Sequence, residues 1–377
     1  MIFRISLLAM TLMLSSQGAS AESLTFATDE VRLRADVVTD SLEHPWGLAF
    51  LPDGGAVVTE RPGRIRILTD SGLSRPVAGV PKVAAGGEGG LLDIAVSKDF
   101  ETSGTIFFAY SEAGPGGIGT TVARARLVRD GSAPRLEDLK VIFATDKKSQ
   151  ARVHFGARII VNDDGTLFIT TGDLGQRMRS QDMHDAAGAV VRIKTDGSVP
   201  SDNPSPDGNK MAPEIWSKGH RNIQGASLDP VMGGLVTVEH GAKGGDEINH
   251  PEAGKNYGWP VITYGTDYDG SKIGIGTAAP GYEQPLYYWD PSIAPSGLVS
   301  YRGKMFPEWQ GDLLVGALKY QMLVRLHRDA SGKILSEERM LQDSFGRIRD
   351  VVEAPDGAIW LLTDEDDGTV IRLSRAD

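Results

Sequence analysis

Six times along this chain a short apolar run enters a polar turn, most often built on Asp-Gly or Gly-Gly, and returns as a second apolar run. The clearest copies span Trp46–Glu60, Ala157–Asp173, Ala226–Gly241 and Asp350–Glu365, with weaker ones at Leu91–Tyr110 and Leu298–Leu318. Such units read as β-hairpins. A hairpin buries its apolar face only against a neighbour, and its outer edge stays open to further pairing. Repetition around a closed ring meets both needs. The pattern therefore predicts an all-β fold, a six-bladed β-propeller with its active site at the mouth of the central channel. The competing architecture is a β-sandwich with unusually long loops. The last copy runs on into Gly368–Arg375, which is expected to complete a blade. Thr195 to Pro213 is rich in Pro, Asp, Asn and Ser and is expected to be a long surface loop. No break in composition argues for a second domain, so residues 22–377 are expected to form one.

The 377 residues are 40% hydrophobic and 24% charged, as in soluble globular chains. A net charge of -11 argues against general binding to nucleic acid or to an anionic membrane. A small anion is not excluded, because a local basic cluster outweighs a distant screened field. The absence of cysteine excludes disulfides, thiolate metal sites and cysteine nucleophiles. Residues 1–21 read as an export signal, with Arg4 as the positive flank, an apolar core from Ile5 to Leu14, and cleavage after Ala21 in Ala19-Ser20-Ala21. That core is too short to span a membrane. A soluble periplasmic protein is expected.

From Glu239 to Pro260 the sequence EHGAKGGDEINHPEAGKNYGWP gathers glycines, the adjacent acids Asp246 and Glu247, and the aromatics Tyr257 and Trp259. Carbonyls freed by glycine turns, together with a carboxylate, suit a hard, oxygen-liganded cation such as calcium. A purely structural turn is the alternative. Other chemically capable residues stand at the edges of the repeated units: Glu88, His154, Arg221 and Asn222 followed by Gln224, Lys319, and the pair Arg347 and Arg349. A strand would point Arg347 and Arg349 to one face. Like charges side by side are costly unless an anion binds both, so with Lys319 they suit a ligand bearing several carboxylates. The run Asp364 to Asp367 reads as a solvated turn, with metal binding a minor option. Gly114 to Gly119 lacks the helix of a dinucleotide fingerprint, no nucleophile elbow occurs, and His240 and His250 are too far apart to share a zinc on one helix face.

With these residues in view, the chain resembles the soluble quinoprotein glucose/sorbosone dehydrogenases, most nearly their periplasmic aldose sugar dehydrogenase group. The resemblance covers essentially the whole mature chain. It rests on HPWGLAFLPDG, GGEGGLLDIAV, HFGARIIVNDDGTLFITTGD, QDMHDAAGAVVRI with DGSVPSDNP, EIWSKGHRNIQG, the Glu239–Pro260 segment, PSIAPSG, GALK and RIRDVVEAPDG, in that order. It implies a six-bladed propeller carrying pyrroloquinoline quinone (PQQ) and calcium, which oxidises aldoses to lactones. On that resemblance His154 would be the general base and Arg221 would polarise the quinone oxygen that gains charge. Asn222 and Glu88 would face the cofactor, and Lys319, Arg347 and Arg349 would meet its carboxylates. The carbonyls of Gly241 and Ala242 would ligate the catalytic calcium, and Glu247 with the Tyr257 carbonyl a structural one.

Three positions depart from the family pattern. Glu88 stands where a Gln is common, Ala242 replaces a Pro, and Val153 precedes His154 where the glucose dehydrogenase branch has an Asp. The last places the chain nearer the broad-specificity aldose branch and leaves the orientation of His154 to be explained. The long loops of dimeric relatives are missing, so a monomer is expected, working with an unidentified electron acceptor. Two other function classes compete: a metal-dependent lactonase, which would collect several carboxylate or Asn ligands around one metal, and a non-catalytic ligand-binding propeller.

Overall fold

A computed structural model describes residues 23–131 and 133–376 of the chain. The proposed export segment lies outside the described residues. Five antiparallel four-stranded sheets and one five-stranded sheet make up the fold. Their first strands are Pro45–Phe50, Leu91–Val96, Gly156–Val161, Ile223–Leu228, Pro295–Ser300 and Ile348–Glu353. Each packs against the next, and the sixth packs back on the first, so the sheets form the blades of a closed six-bladed propeller. All six hairpins read from the sequence are the first two strands of a blade.

The core is divided among the gaps between blades. Val57, Ile65, Phe108 and Ala123 fill the gap between the first and second blades. Phe107, Val122, Leu167 and Ile169 fill the next. Phe168, Val190 and Leu235 fill the third, and the remaining three gaps are filled in the same way. Both faces of a blade are therefore apolar, which explains continuous runs such as IFFAY rather than strict alternation. Each fully buried Leu, Ile or Phe contributes about 1.5–3 kcal/mol. With no cysteine in the chain, these slabs hold the ring together.

Two expectations need correction. Gly368–Arg375 does not complete the last blade but is its third strand. The fourth and fifth are Arg32–Leu42 and Ser23–Ala27 from the other end of the chain, which pair as Leu42 with Gly368 and Leu33 with Arg375. The stretch from Thr195 to Pro213 has no strand, as expected, yet it is not wholly superficial. Met211 is buried, and Asn203 is buried with its amide donating to the carbonyls of Arg192 and Pro213.

The first strand of every blade breaks register near its start: at Pro45/Leu48, Leu91/Ile94, Gly156/Ile159, Ile223/Gly225, Pro295/Leu298 and Ile348/Asp350. Such bulges insert residues with no partner across the ladder and re-aim their side chains. Trp46, Leu92, Gln224 and Arg349 occupy these insertions, and all four line one central cavity. The ring of bulges is what turns a stack of sheets into a site.

Candidate active site at the channel mouth

The cavity at one end of the channel has a volume of about 290 Å³. Its wall includes Trp46, Arg61, Glu88, Asn222, Arg347 and Arg349.

His154 stands at the rim, next to the lining residues Phe155 and Gly156. Its backbone is left-handed, with φ of 57°, a conformation uncommon for residues with a side chain. The approach of two chain segments fixes it there: a Cβ on Gly172 would lie 2.1 Å from the His154 carbonyl oxygen, so only glycine fits in TTGD. Nδ1 of His154 donates to Oδ1 of Asp173 at 2.7 Å. Asp173 also receives the Gly175 amide at 2.7 Å and, on Oδ2, the indole N–H of Trp259 at 2.8 Å. Burial pushes the Asp173 carboxyl up, but hydrogen bonds from His154 and Trp259 and the charge of Arg221 outweigh it and hold the group below the usual aspartate value. An ionised Asp173 keeps the proton on Nδ1 and leaves the Nε2 lone pair free. The orientation of His154 thus comes from Asp173, not from the residue at position 153.

Arg221 is buried, with its guanidinium 5.3 Å from the centre of the Trp259 ring. Its amide donates to Oε2 of Glu239 at 2.6 Å and Nη1 donates to the His240 carbonyl at 3.3 Å, while Nε has no partner. Asn222 uses its Oδ1 to accept from the Gly156 amide and from Gln224, both at 3.1 Å. The carboxylate of Glu88 is held within the wall, receiving the His154 amide at 2.6 Å and Nδ2 of Asn222 at 3.5 Å.

On the far wall Arg349 donates Nη1 to Oε1 of Gln224 at 3.1 Å and Nη2 to Asp364, and its Nε is buried without a partner. Arg347 is more open, donating only weakly to the Leu318 carbonyl at 3.5 Å. Arg61, which the sequence reading missed, adds a third guanidinium and donates to the Gly87 carbonyl at 3.0 Å. Lys319 is exposed beside the wall residue Leu318, with its ammonium 4.9 Å from the Tyr320 ring centre, and does not itself line the cavity. The acidic run is not simply a solvated turn. Asp364 is buried on the wall, and although burial raises its pKa, Arg349 holds it far below the carboxylate range. Three guanidiniums, two with spare donors or open faces, fit a ligand with several carboxylates such as PQQ.

Gly241, Glu247 and Tyr257 meet behind Arg221, where they line one small cleft with Glu239 and Trp259. Ala242 is not on that wall and packs with Trp259 and Ile273. At Gly241 a Cβ would come within 2.1 Å of the Gly244 carbonyl oxygen, so the tight turn demands glycine. Glu247 lies directly across the ladder from Glu239. Burial first, and then Glu239, push the Glu247 carboxyl up to about 8. Oδ1 of Asn249 next to them is buried without a partner. Two repelling carboxyls and an unused amide oxygen fit a hard cation. Among the described residues no three His, Asp or Glu side chains converge on one point, so main-chain carbonyls would have to supply further ligands.

Lys218 was also missed. It is fully buried, and its ammonium donates to the carbonyls of Arg179, Asp185 and Ala187 at 3.1, 2.7 and 2.6 Å. Burial lowers its pKa to about 7. The loop it gathers reaches the site through Gln181, which donates to the Trp259 carbonyl at 2.7 Å.

The family model described as Glucose / Sorbosone dehydrogenase matches residues 42–372. The aldose sugar dehydrogenase YliI of Escherichia coli strain K12 is 42% identical over 347 residues, covering 91% of this chain and 93% of that protein. The structure of the soluble aldose sugar dehydrogenase from Escherichia coli in its apo form superposes with a TM-score of 0.87 at 41% identity, over 91% of this chain and 100% of that one. The PQQ-bound form of the aldose sugar dehydrogenase from Streptomyces coelicolor gives a TM-score of 0.76 at 25% identity, over 95% of this chain and 99% of that one. The chain belongs to the glucose/sorbosone dehydrogenase family.

Proposed function

We propose that this sugar oxidoreductase removes hydride and a proton from the anomeric carbon and hydroxyl of an aldose, giving the lactone, with PQQ at the channel mouth and calcium beside it. The observation that carries the reading is the His154–Asp173 pair, set at the rim of a cavity whose far wall offers Arg347 and Arg349, with Arg221 in the adjoining cleft. Nε2 of His154 takes the hydroxyl proton, and the Asp173 carboxylate stabilises the resulting imidazolium. Arg221 has an unused N–H to offer to charge developing in the transition state, an interaction that strengthens as water is excluded. Arg61, Arg347 and Arg349 would hold the cofactor's carboxylates, with Lys319 close by at the surface. Glu88, held by the His154 amide and Asn222, keeps its charge turned towards these donors.

When bound, PQQ supplies the two-electron acceptor and calcium a Lewis acid. Gly241 and Ala242 would offer carbonyls to the catalytic ion, and Glu247 with the Tyr257 carbonyl would hold a structural one. We further propose that residues 22–377 act as one exported, periplasmic and monomeric unit that hands electrons to a separate acceptor. Among the described residues no helix is long and apolar enough to cross a membrane.

The test is reduction of an electron-accepting dye by the purified protein with an aldose, run with and without PQQ and with and without calcium. Turnover that requires both supports the reading. His154→Gln is expected to lower turnover by about 10²–10⁴, with PQQ still bound by absorbance titration. A variant that keeps its turnover rejects His154 as the base.

A further inference from the structure

His44 sits where the two ends of the chain meet, outside the residues assigned a role above. Its Nδ1 lies 2.9 Å from Oδ1 of Asp364 and its Nε2 lies 2.9 Å from Oδ1 of Asp366. The first is a hydrogen bond, and since a carboxylate only accepts, Nδ1 carries the hydrogen; the second is a close approach to an exposed carboxylate. Its backbone is equally committed. The His44 amide donates to the Glu365 carbonyl at 2.9 Å, its carbonyl accepts from Arg61 at 3.0 Å, and φ is 46°.

Three of these partners lead to the cavity wall. Arg61 lines it. Asp364 lines it and pairs with Arg349. Glu365 accepts the Arg347 amide on Oε1 at 3.0 Å, and the Asp364 amide donates back to the Arg347 carbonyl at 2.8 Å. The same residues flank the closure of the ring, because Leu42 and Gly368 are partners in the ladder that joins the two chain ends.

We propose that His44 is a positioning residue of the cofactor cavity: it holds Asp364 through Nδ1 and Glu365 through its amide, and so ties the cavity arginines to the seam that closes the propeller. The proposal rests on the reading that this cavity receives PQQ. Binding and closure are then linked, and linkage runs both ways: a ligand that orders Arg61, Arg347 and Arg349 tightens the seam, and a tight seam raises affinity for the ligand. The charged groups facing the ring are Asp364, Asp366 and, one residue away, Glu365 from the last turn. Arg61 faces it from the first blade and Arg349 through Asp364, while Glu43 on its own side is engaged by Arg64.

The experiment is PQQ titration of the full-length apo protein, followed by quenching of its tryptophan fluorescence. Wild type, His44→Ala and His44→Asn are compared. Asparagine tolerates the left-handed backbone and can still donate to Asp364, so the second variant keeps the test open even if the first folds poorly. His44→Ala is expected to weaken PQQ binding about tenfold and His44→Asn about threefold. In parallel, amide exchange in Arg32–Leu42 and Gly368–Arg375 should slow on PQQ addition in the wild type and change little in the variants. Wild-type affinity and exchange in both variants would overturn the role of His44 alone. A wild-type protein that binds no PQQ would overturn the proposed function with it.

Discussion

Two groups of buried arginines sit in different parts of this ring. Between the fourth and fifth blades, Arg328 donates Nη1 and Nη2 to both oxygens of Asp229, Nη2 again to Ser300, and Nε to the Gly311 carbonyl. Every nitrogen is used. Arg158, beneath the cavity, is likewise filled by the carbonyls of Gln224 and Arg349 and by the carboxylates of Asp93 and Asp350. At the channel mouth Arg221 and Arg349 are almost as buried, yet each keeps an unpartnered Nε. A buried donor without a partner costs about 1–3 kcal/mol. The first group holds blades together; the second keeps an unpaired donor, Arg349 on the cavity wall and Arg221 in the cleft that adjoins it. Spare donors alone do not mark a site, since Nη1 of Arg179 is also unpartnered behind Lys218. The cavity is the second requirement.

Substitutions can break this contrast. Arg328→Met strands the Asp229 charge in the core and is expected to destabilise the fold by about 3–5 kcal/mol in urea unfolding, without changing PQQ affinity in the folded fraction. Lost PQQ binding at unchanged stability would reverse the roles of the two groups. Arg347→Ala combined with Arg349→Ala is expected to weaken PQQ binding about a hundredfold, well beyond any effect on sugar affinity. Its stability loss should be smaller than that of Arg328→Met, because Asp364 retains His44. Unchanged PQQ affinity would refute the carboxylate clamp.

A pH series sharpens the comparison with the smallest effect. Burial raises the Asp229 pKa, but hydrogen bonds from Arg328 and the Val231 amide hold it below the usual aspartate range. Its contribution is therefore complete above the unfolded aspartate value, about 3.9, and is lost as pH falls through the folded pKa. The gap in Tm between wild type and Arg328→Met should widen as pH rises from the folded Asp229 value and close towards lower pH. A constant gap would mean that the pair does not titrate as a unit.

The hairpins could be read from the chain because each carries its own turn and its own apolar runs, all local information. The outermost strands were less visible. Gly72–Leu73 and Tyr287–Trp289 are too short to show a period. Arg32–Leu42 alternates exposed and buried residues in a polar sequence, and nothing local says that it pairs with the last strand. The site followed the same division. His154, Arg221, Asn222, Arg347 and Arg349 stand at hairpin edges, where residue type and position suggest chemistry. Asp173 had been noticed only as the end of a hairpin, and its bond to His154 exists because the ladder brings Gly156 opposite Thr171. Asp364 looked like part of a hydrated acidic turn until Arg349 and His44 were placed against it. Nor does a lysine in EIWSKGHRN announce that three carbonyls from a distant loop surround it.

The join between Arg32–Leu42 and Gly368–Arg375 sets an order of events as the chain folds. A chain that emerges from export N-terminus first can assemble its middle blades before its end appears, since each is built from consecutive segments. The strand made near the beginning has no lasting place until the one made near the end arrives. Until then its exposed edge, and that of the unfinished sixth blade, are open to pairing with other chains. The most vulnerable moment for this protein is therefore the wait for its last strand, and truncation by even a few residues past Gly368 should leave a nearly complete ring that cannot shut.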